Sequence, residues 1–169
     1  MVAAELVQRW DLGRAKDRFK GRFVEGRLPA EPSSSSERPR VAVLCPQTYM
    51  NDSGRSVGPA RGALKLALDR VLIVYDEIDL PFGEIRTRVG GGLAGHNGLK
   101  SLRAQLGGAD FARVRVGVGR PDSTDPEIVS AYVLGRFTEG PDAVAELVKR
   151  AADTVERVVR GEEPVEVRA

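Results

Sequence analysis

The segment VLIVYD (residues 71–76) is apolar until its last residue, and this constrains the chain more than any other feature. A strand with apolar side chains on both faces must be covered on both, as in a parallel or mixed sheet flanked by helices. The rest of the chain supplies helices and strands in alternation. AAELVQRWD (3–11) places Leu6 and Trp10 one helical turn apart. RFKGRFVEGRL (18–28) alternates like a half-buried strand, and the polar turn PSSSSERP (32–39) leads into the apolar strand RVAVLC (40–45), forming a hairpin. A helix is expected over about 57–68, further strands at GEIRTRV (83–89) and FARVRVGVG (111–119), and a helix at HNGLKSLRAQLGG (96–108) carrying Leu99, Leu102 and Leu106. The longest helix falls within 138–161. Pro141 opens it, Val144, Leu147, Val148, Ala151, Val155 and Val158 form its stripe, and Gly161 closes it. The fold class is α/β: one three-layer domain over 1–169, its mixed, mostly parallel sheet flanked by helices.

A length of 169 residues suits one domain. No segment has the apolar length of a membrane span, and the opening MVAAELVQRW lacks a signal pattern, so a cytoplasmic protein that keeps off membranes is expected. The single cysteine, Cys45, excludes an internal disulfide and, sitting in VAVLCP, reads as a buried structural thiol. The formal net charge is only +2, so nucleic-acid binding would have to come from local clusters. Arg14, Lys16, Arg18, Lys20 and Arg22 form one; Arg86 with Arg88, and Arg113, Arg115 with Arg120, form two more. Each alone reads first as a solvated face.

Three segments could gather at the carboxyl ends of the strands. PQTYMNDSG (46–54) offers the ring of Tyr49 and the amide of Asn51, YDEIDLPFG (75–83) offers Asp76, and GGGLAGHNG (90–98) offers His96 and Asn97 where a turn becomes a helix. Capping and turn roles suffice for Asp76, His96 and Asn97 on bland grounds. Gly90, Gly92 and Gly95 satisfy G-x-G-x-x-G, but the preceding strand carries Arg86 and Arg88 and the next acidic residue, Asp110, precedes its strand instead of ending one, so no nucleotide cofactor is expected.

In order along the chain, PQTYMNDSG, VYDEIDLPFGEIRTRVGGGLAGHNGLKSL, FARVRVGVGRP and YVLGRF resemble the signature blocks of bacterial-type peptidyl-tRNA hydrolases. The resemblance implies a cytoplasmic monomer that hydrolyses the ester between peptide and tRNA with water as nucleophile and no metal or other cofactor. It implies that Asp76 orients a catalytic histidine, that Asn51 and Asn97 hold the substrate, that Tyr49 stacks on a ring, that Arg88 and Arg115 clamp tRNA phosphates, and that His96 is supporting structure. Arg115→Ala should then weaken tRNA binding without changing the fold. The family's opening strand, resembling GLGNPG, and its T-R-H-N segment are not found ahead of AAELVQRWD, and GEEPVEVRA stands where a final extension is usual. The expectation is therefore a chain without the family's first strand or its general-base histidine, weakly active or inactive by itself, either because its start lies too far downstream or because it is a non-catalytic relative that binds tRNA or another RNA.

Overall fold

The computed structural model describes residues 1–30, 38–93 and 95–163. Most of the PSSSSERP turn, and the chain end after Glu163, lie outside the described residues. The chain divides into two compact units, 1–71 with 92–109, and 72–91 with 110–169.

In the first unit, α1 (Val2–Arg9) opens without a side-chain cap and buries Leu6, with Trp10 buried one turn on. The segment expected as one strand over 18–28 is a hairpin of its own. β1 (Lys16–Arg18) turns at Phe19 and Lys20, both at positive φ, and returns as β2 (Gly21–Arg27). Two successive left-handed residues make the tight turn whose twist matches paired strands, and alternation alone could not place it. β2 pairs antiparallel with β3 (Arg40–Pro46), so this sheet is antiparallel throughout, in the order β1-β2-β3. Cys45 is exposed, contrary to expectation: on a strand at the sheet's border, side chains alternate, and Cys45 takes the outward position. α2 (Gly54–Leu64) starts earlier than periodicity suggested and ends where Lys65 turns left-handed, its N–H donating to the Arg61 and Gly62 carbonyls. α3 (Asn97–Leu106) buries Leu99, Leu102 and Leu106 as expected, and Gly107 stops it in the left-handed conformation.

In the second unit, β4 (Leu72–Glu77) runs parallel to the central β6 (Ala112–Gly117), and β5 (Ile85–Val89) runs antiparallel to it. The mixed α/β class stands, but the sheet expected as mostly parallel is two three-stranded sheets among the described residues, with a single parallel pairing. Short links such as the hairpin turn can join only antiparallel neighbours. β5 being antiparallel also removes the parallel crossover that a dinucleotide-binding glycine turn requires. α5 (Pro141–Arg160) packs against β6 and buries Val144, Leu147, Ala151 and Val155. At about 1.5–3 kcal/mol for each Val or Leu, that stripe is a main source of the unit's stability. A helix that the sequence reading left out is α4 (Pro126–Leu134): Asp125 accepts the Glu127 N–H at 2.8 Å and Pro126 fills the first turn. Its signal, Asp-Pro-Glu before an apolar run, was legible.

Candidate functional site

In the first unit the sequence-selected residues meet at one glycine. Tyr49 precedes a single 3₁₀ turn, Met50–Asp52, which leads into α2, and His96 precedes α3. Ser53 Oγ donates to the Gly98 carbonyl at 3.4 Å, and the Gly54 N–H donates to Ser101 Oγ at 3.0 Å. Gly54 lies so close to the Ser101 carbonyl that a Cβ there would clash. At Gly98 a Cβ would meet both the His96 ring, at 2.9 Å, and Met50 Cγ, at 3.1 Å. Two small residues thus let the 3₁₀ turn dock against the start of α3. This brings the Tyr49–Asn51 stretch beside the His96–Asn97 stretch.

The side chains so gathered differ in exposure. Tyr49 is 85% exposed, and Asn51 and Asn97 are exposed as well. The Asn97 carbonyl oxygen accepts from Lys100 Nζ at 3.4 Å, which leaves its amide donors facing outward. His96 is used differently: its Nδ1 accepts the Leu99 N–H at 3.3 Å, capping α3. An accepting Nδ1 places the ring proton on Nε2, so no ring nitrogen of the neutral imidazole remains open as a base.

In the second unit, Asp76 is exposed near the end of β4 and lines a cavity of about 210 Å³ with Val118, Tyr132, Arg136, Phe137 and Thr138. Tyr132 donates its hydroxyl to the Val118 carbonyl at 2.7 Å, and Phe137 packs edge-on against Phe82. The next residue, Glu77, turns to the opposite face and is buried.

That opposite face is ionic. Strand register sets Tyr75 beside Arg115, Arg115 across from Arg86, and Arg113 across from Arg88, all on the Glu77 side of the sheet. Arg115 donates through Nε and Nη2 to one oxygen of Glu77, at 3.2 and 3.0 Å. Arg86 pairs with Glu84. Arg113, 1% exposed, reaches the Gly91 carbonyl at 3.3 Å, stacks over Phe111 and hydrogen-bonds Tyr75. Burial, with Arg88 and Arg115 nearby, lowers the Arg113 pKa; burial and the Glu77 carboxylate raise that of Tyr75. The Arg88 Nε is buried with no hydrogen-bond partner, and its guanidinium packs against Gly91, whose left-handed backbone favours glycine.

Glu77 and Tyr75 were not singled out from the sequence, and Arg113 was named there only as part of a basic cluster. Strand alternation puts Arg113 on the same face as Arg115, and Glu77 on the same face as Tyr75, so the grouping could have been found. Nothing in the sequence said that Glu77 and Arg113 would be buried. No group of three or more His, Cys, Asp or Glu side chains among the described residues could hold a metal ion, and no helix among them is long and apolar enough to cross a membrane.

Comparison with known proteins agrees with the signature blocks. A family model described as peptidyl-tRNA hydrolase matches residues 1–167. A peptidyl-tRNA hydrolase of Geobacillus kaustophilus is 42% identical over 160 residues, covering 94% of this chain and 81% of its own. One from Mycobacterium sp. strain KMS is 44% identical over 169 residues, covering 98% and 83%. A crystal structure of peptidyl-tRNA hydrolase from Acinetobacter baumannii superposes with a TM-score of 0.77 at 34% identity, covering 95% of this chain and 78% of that one. With the whole matched length and a shared fold in agreement, the chain belongs to the peptidyl-tRNA hydrolase family, a family of ester hydrolases.

Proposed function

We propose that this protein acts on peptidyl-tRNA, cleaving the ester between peptide and terminal ribose so that the tRNA is recycled, as a cytoplasmic monomer of one domain. The observation that carries the reading is the docking at Gly98, which sets the exposed Tyr49 and Asn51 beside the exposed Asn97. A ring and two amides suit a terminal adenosine and a peptide carbonyl, the amide N–H donors also matching a developing oxyanion. Asp76 is assigned to orienting an imidazole: its carboxylate accepts one ring N–H and leaves the other nitrogen basic toward water. Arg88 and Arg115 are assigned to tRNA phosphates, where guanidinium geometry favours paired contacts.

The 169 residues contain one histidine, His96, and its Nδ1 is already occupied. These residues by themselves are therefore assigned the substrate groove and little or no ester hydrolysis. The second reading, a non-catalytic tRNA binder, is favoured by the same occupied histidine. Release of an N-blocked amino acid from tRNA, measured with and without added imidazole, separates the two. Rescue by imidazole, lost in Asp76→Ala, supports an enzyme awaiting a base. Tight tRNA binding without rescue supports the binder, and strong unaided turnover abolished by His96→Asn would sink the assignment of His96 as structural.

A further inference from the structure

The geometry points to the β1–β2 hairpin as a second, sequence-independent contact for the phosphate backbone of RNA, distinct from the arginines of the other sheet. This rests on the reading of the chain as one that handles tRNA. Residues 14–22 hold five basic side chains, Arg14, Lys16, Arg18, Lys20 and Arg22, against one acid, Asp17. The whole chain has 26 basic and 24 acidic residues, so 21 basic and 23 acidic remain elsewhere. The molecule's net positive charge therefore resides in this one hairpin.

A solvated face with no partner would mix charges, as this chain does elsewhere: Arg9 pairs with Glu5, Arg40 with Glu25 and Arg120 with Asp79. Within residues 14–22, Arg22 is the one basic side chain with an acidic partner among the described residues, Asp17, at 3.0 Å. Arg14, Lys16 and Lys20 are exposed with no acidic partner among the described residues. Like charges so close destabilise a hairpin unless something anionic covers them.

The fold holds the charges in place. Lys16 and Arg18 lie on one face of β1, and same-face strand residues stand about 7 Å apart, near the spacing of successive phosphates along a nucleic-acid strand. The Arg18 guanidinium lies over the Phe19 ring at 4.4 Å, and Phe19 meets Phe23 edge-on at 5.2 Å. Arg14, Lys16, Asp17 and Arg22 line a recess of about 350 Å³. Lys20 sits at the tip, and its carbonyl accepts the Gln47 N–H at 2.9 Å. Gln47 lies two residues before Tyr49, so the tip is tied to the stretch assigned to the terminal adenosine. An RNA strand ending at Tyr49 has the hairpin beside its path. Charge repelled from the chain's other, slightly acidic surface would be drawn there.

The test compares wild type, Lys16→Gln/Lys20→Gln and Lys16→Arg/Lys20→Arg for binding deacylated tRNA at several salt concentrations. The glutamine pair should weaken binding roughly tenfold at ~0.1 M salt and flatten the slope of log affinity against log salt by roughly 1.5, and the arginine pair should restore both. Equal slopes for all three, or no tRNA binding by wild type, overturn the inference. So does loss of binding to phosphatidylserine vesicles with tRNA binding intact, which would make the hairpin a lipid contact. The trinucleotide CCA with Tyr49→Ala probes the groove separately. If CCA does not bind while the hairpin effect persists, the groove assignment fails and the hairpin contact stands.

Discussion

Two basic regions of this molecule look alike in sequence and are built in opposite ways. On the hairpin over 14–22, charge is exposed and largely uncompensated. On the sheet of the second unit, four arginines share one face, yet Arg113 is 1% exposed and Arg115 is held by a buried glutamate. An exposed cation interacts weakly with its own protein and remains available to a ligand. A buried one is desolvated, so it must be matched, and its partners become structural. Phosphate contact by the second group therefore competes with Glu77, whereas contact by Arg14, Lys16 or Lys20 of the first displaces mainly water and counterions.

Removing Glu77 should break this contrast most severely. Glu77→Ala leaves the Arg115 guanidinium nearly buried without its carboxylate and is expected to cost about 3 kcal/mol in urea unfolding. Adding Arg115→Met should recover much of that, since an apolar replacement of the pair restores neutrality. Arg115→Met alone is expected to cost about 2 kcal/mol as well as RNA affinity. Because of this ion pair, truncating Arg115 is expected to cost stability in addition to the tRNA affinity. Equal stability of Arg115→Met and wild type would mean that the pair is dispensable and the region closer to the hairpin in kind.

Tyr75 sharpens the comparison through pH. Its folded pKa is raised above the ordinary 10.0. The phenol's contribution is then fully present below pH 10 and is lost as pH rises above it toward the folded value, because the unfolded chain ionises first. Stability should fall over that alkaline window in wild type and fall less in Tyr75→Phe, which at neutral pH gives up about 1 kcal/mol with its Arg113 hydrogen bond. Parallel alkaline profiles would remove Tyr75 from the network. The smallest effect belongs to the hairpin, where Lys16→Gln/Lys20→Gln should leave the free energy of urea unfolding within about 0.5 kcal/mol of wild type. A larger loss would show that those lysines are structural after all.

Much of the fold was legible from local signals. Leu99, Leu102 and Leu106 at helical spacing marked α3, Pro141 and Gly161 bracketed α5, and the apolar run before Asp76 marked β4. Tyr49, Asn51, Asp76 and Asn97 were selected from short blocks, and Tyr49, Asn51 and Asn97 are gathered within one unit. The turn at Phe19 and Lys20 was not legible, because neither residue favours the left-handed conformation by itself and the pairing of β1 with β2 imposes it. Cys45 was misplaced because an apolar neighbourhood in sequence does not say which side of a bordering strand is covered.

The sequence by itself determined the periodicities, the caps and the ordered blocks that give the family, since each depends on residues a few positions apart. Only the tertiary structure decided that Met50 and His96 both close on Gly98, that the His96 Nδ1 is occupied, and which arginines are sheltered and which face water. Burial and pairing sum contacts from segments far apart in the chain. The same residue type at the same local spacing can therefore end as a structural ion or as an open charge.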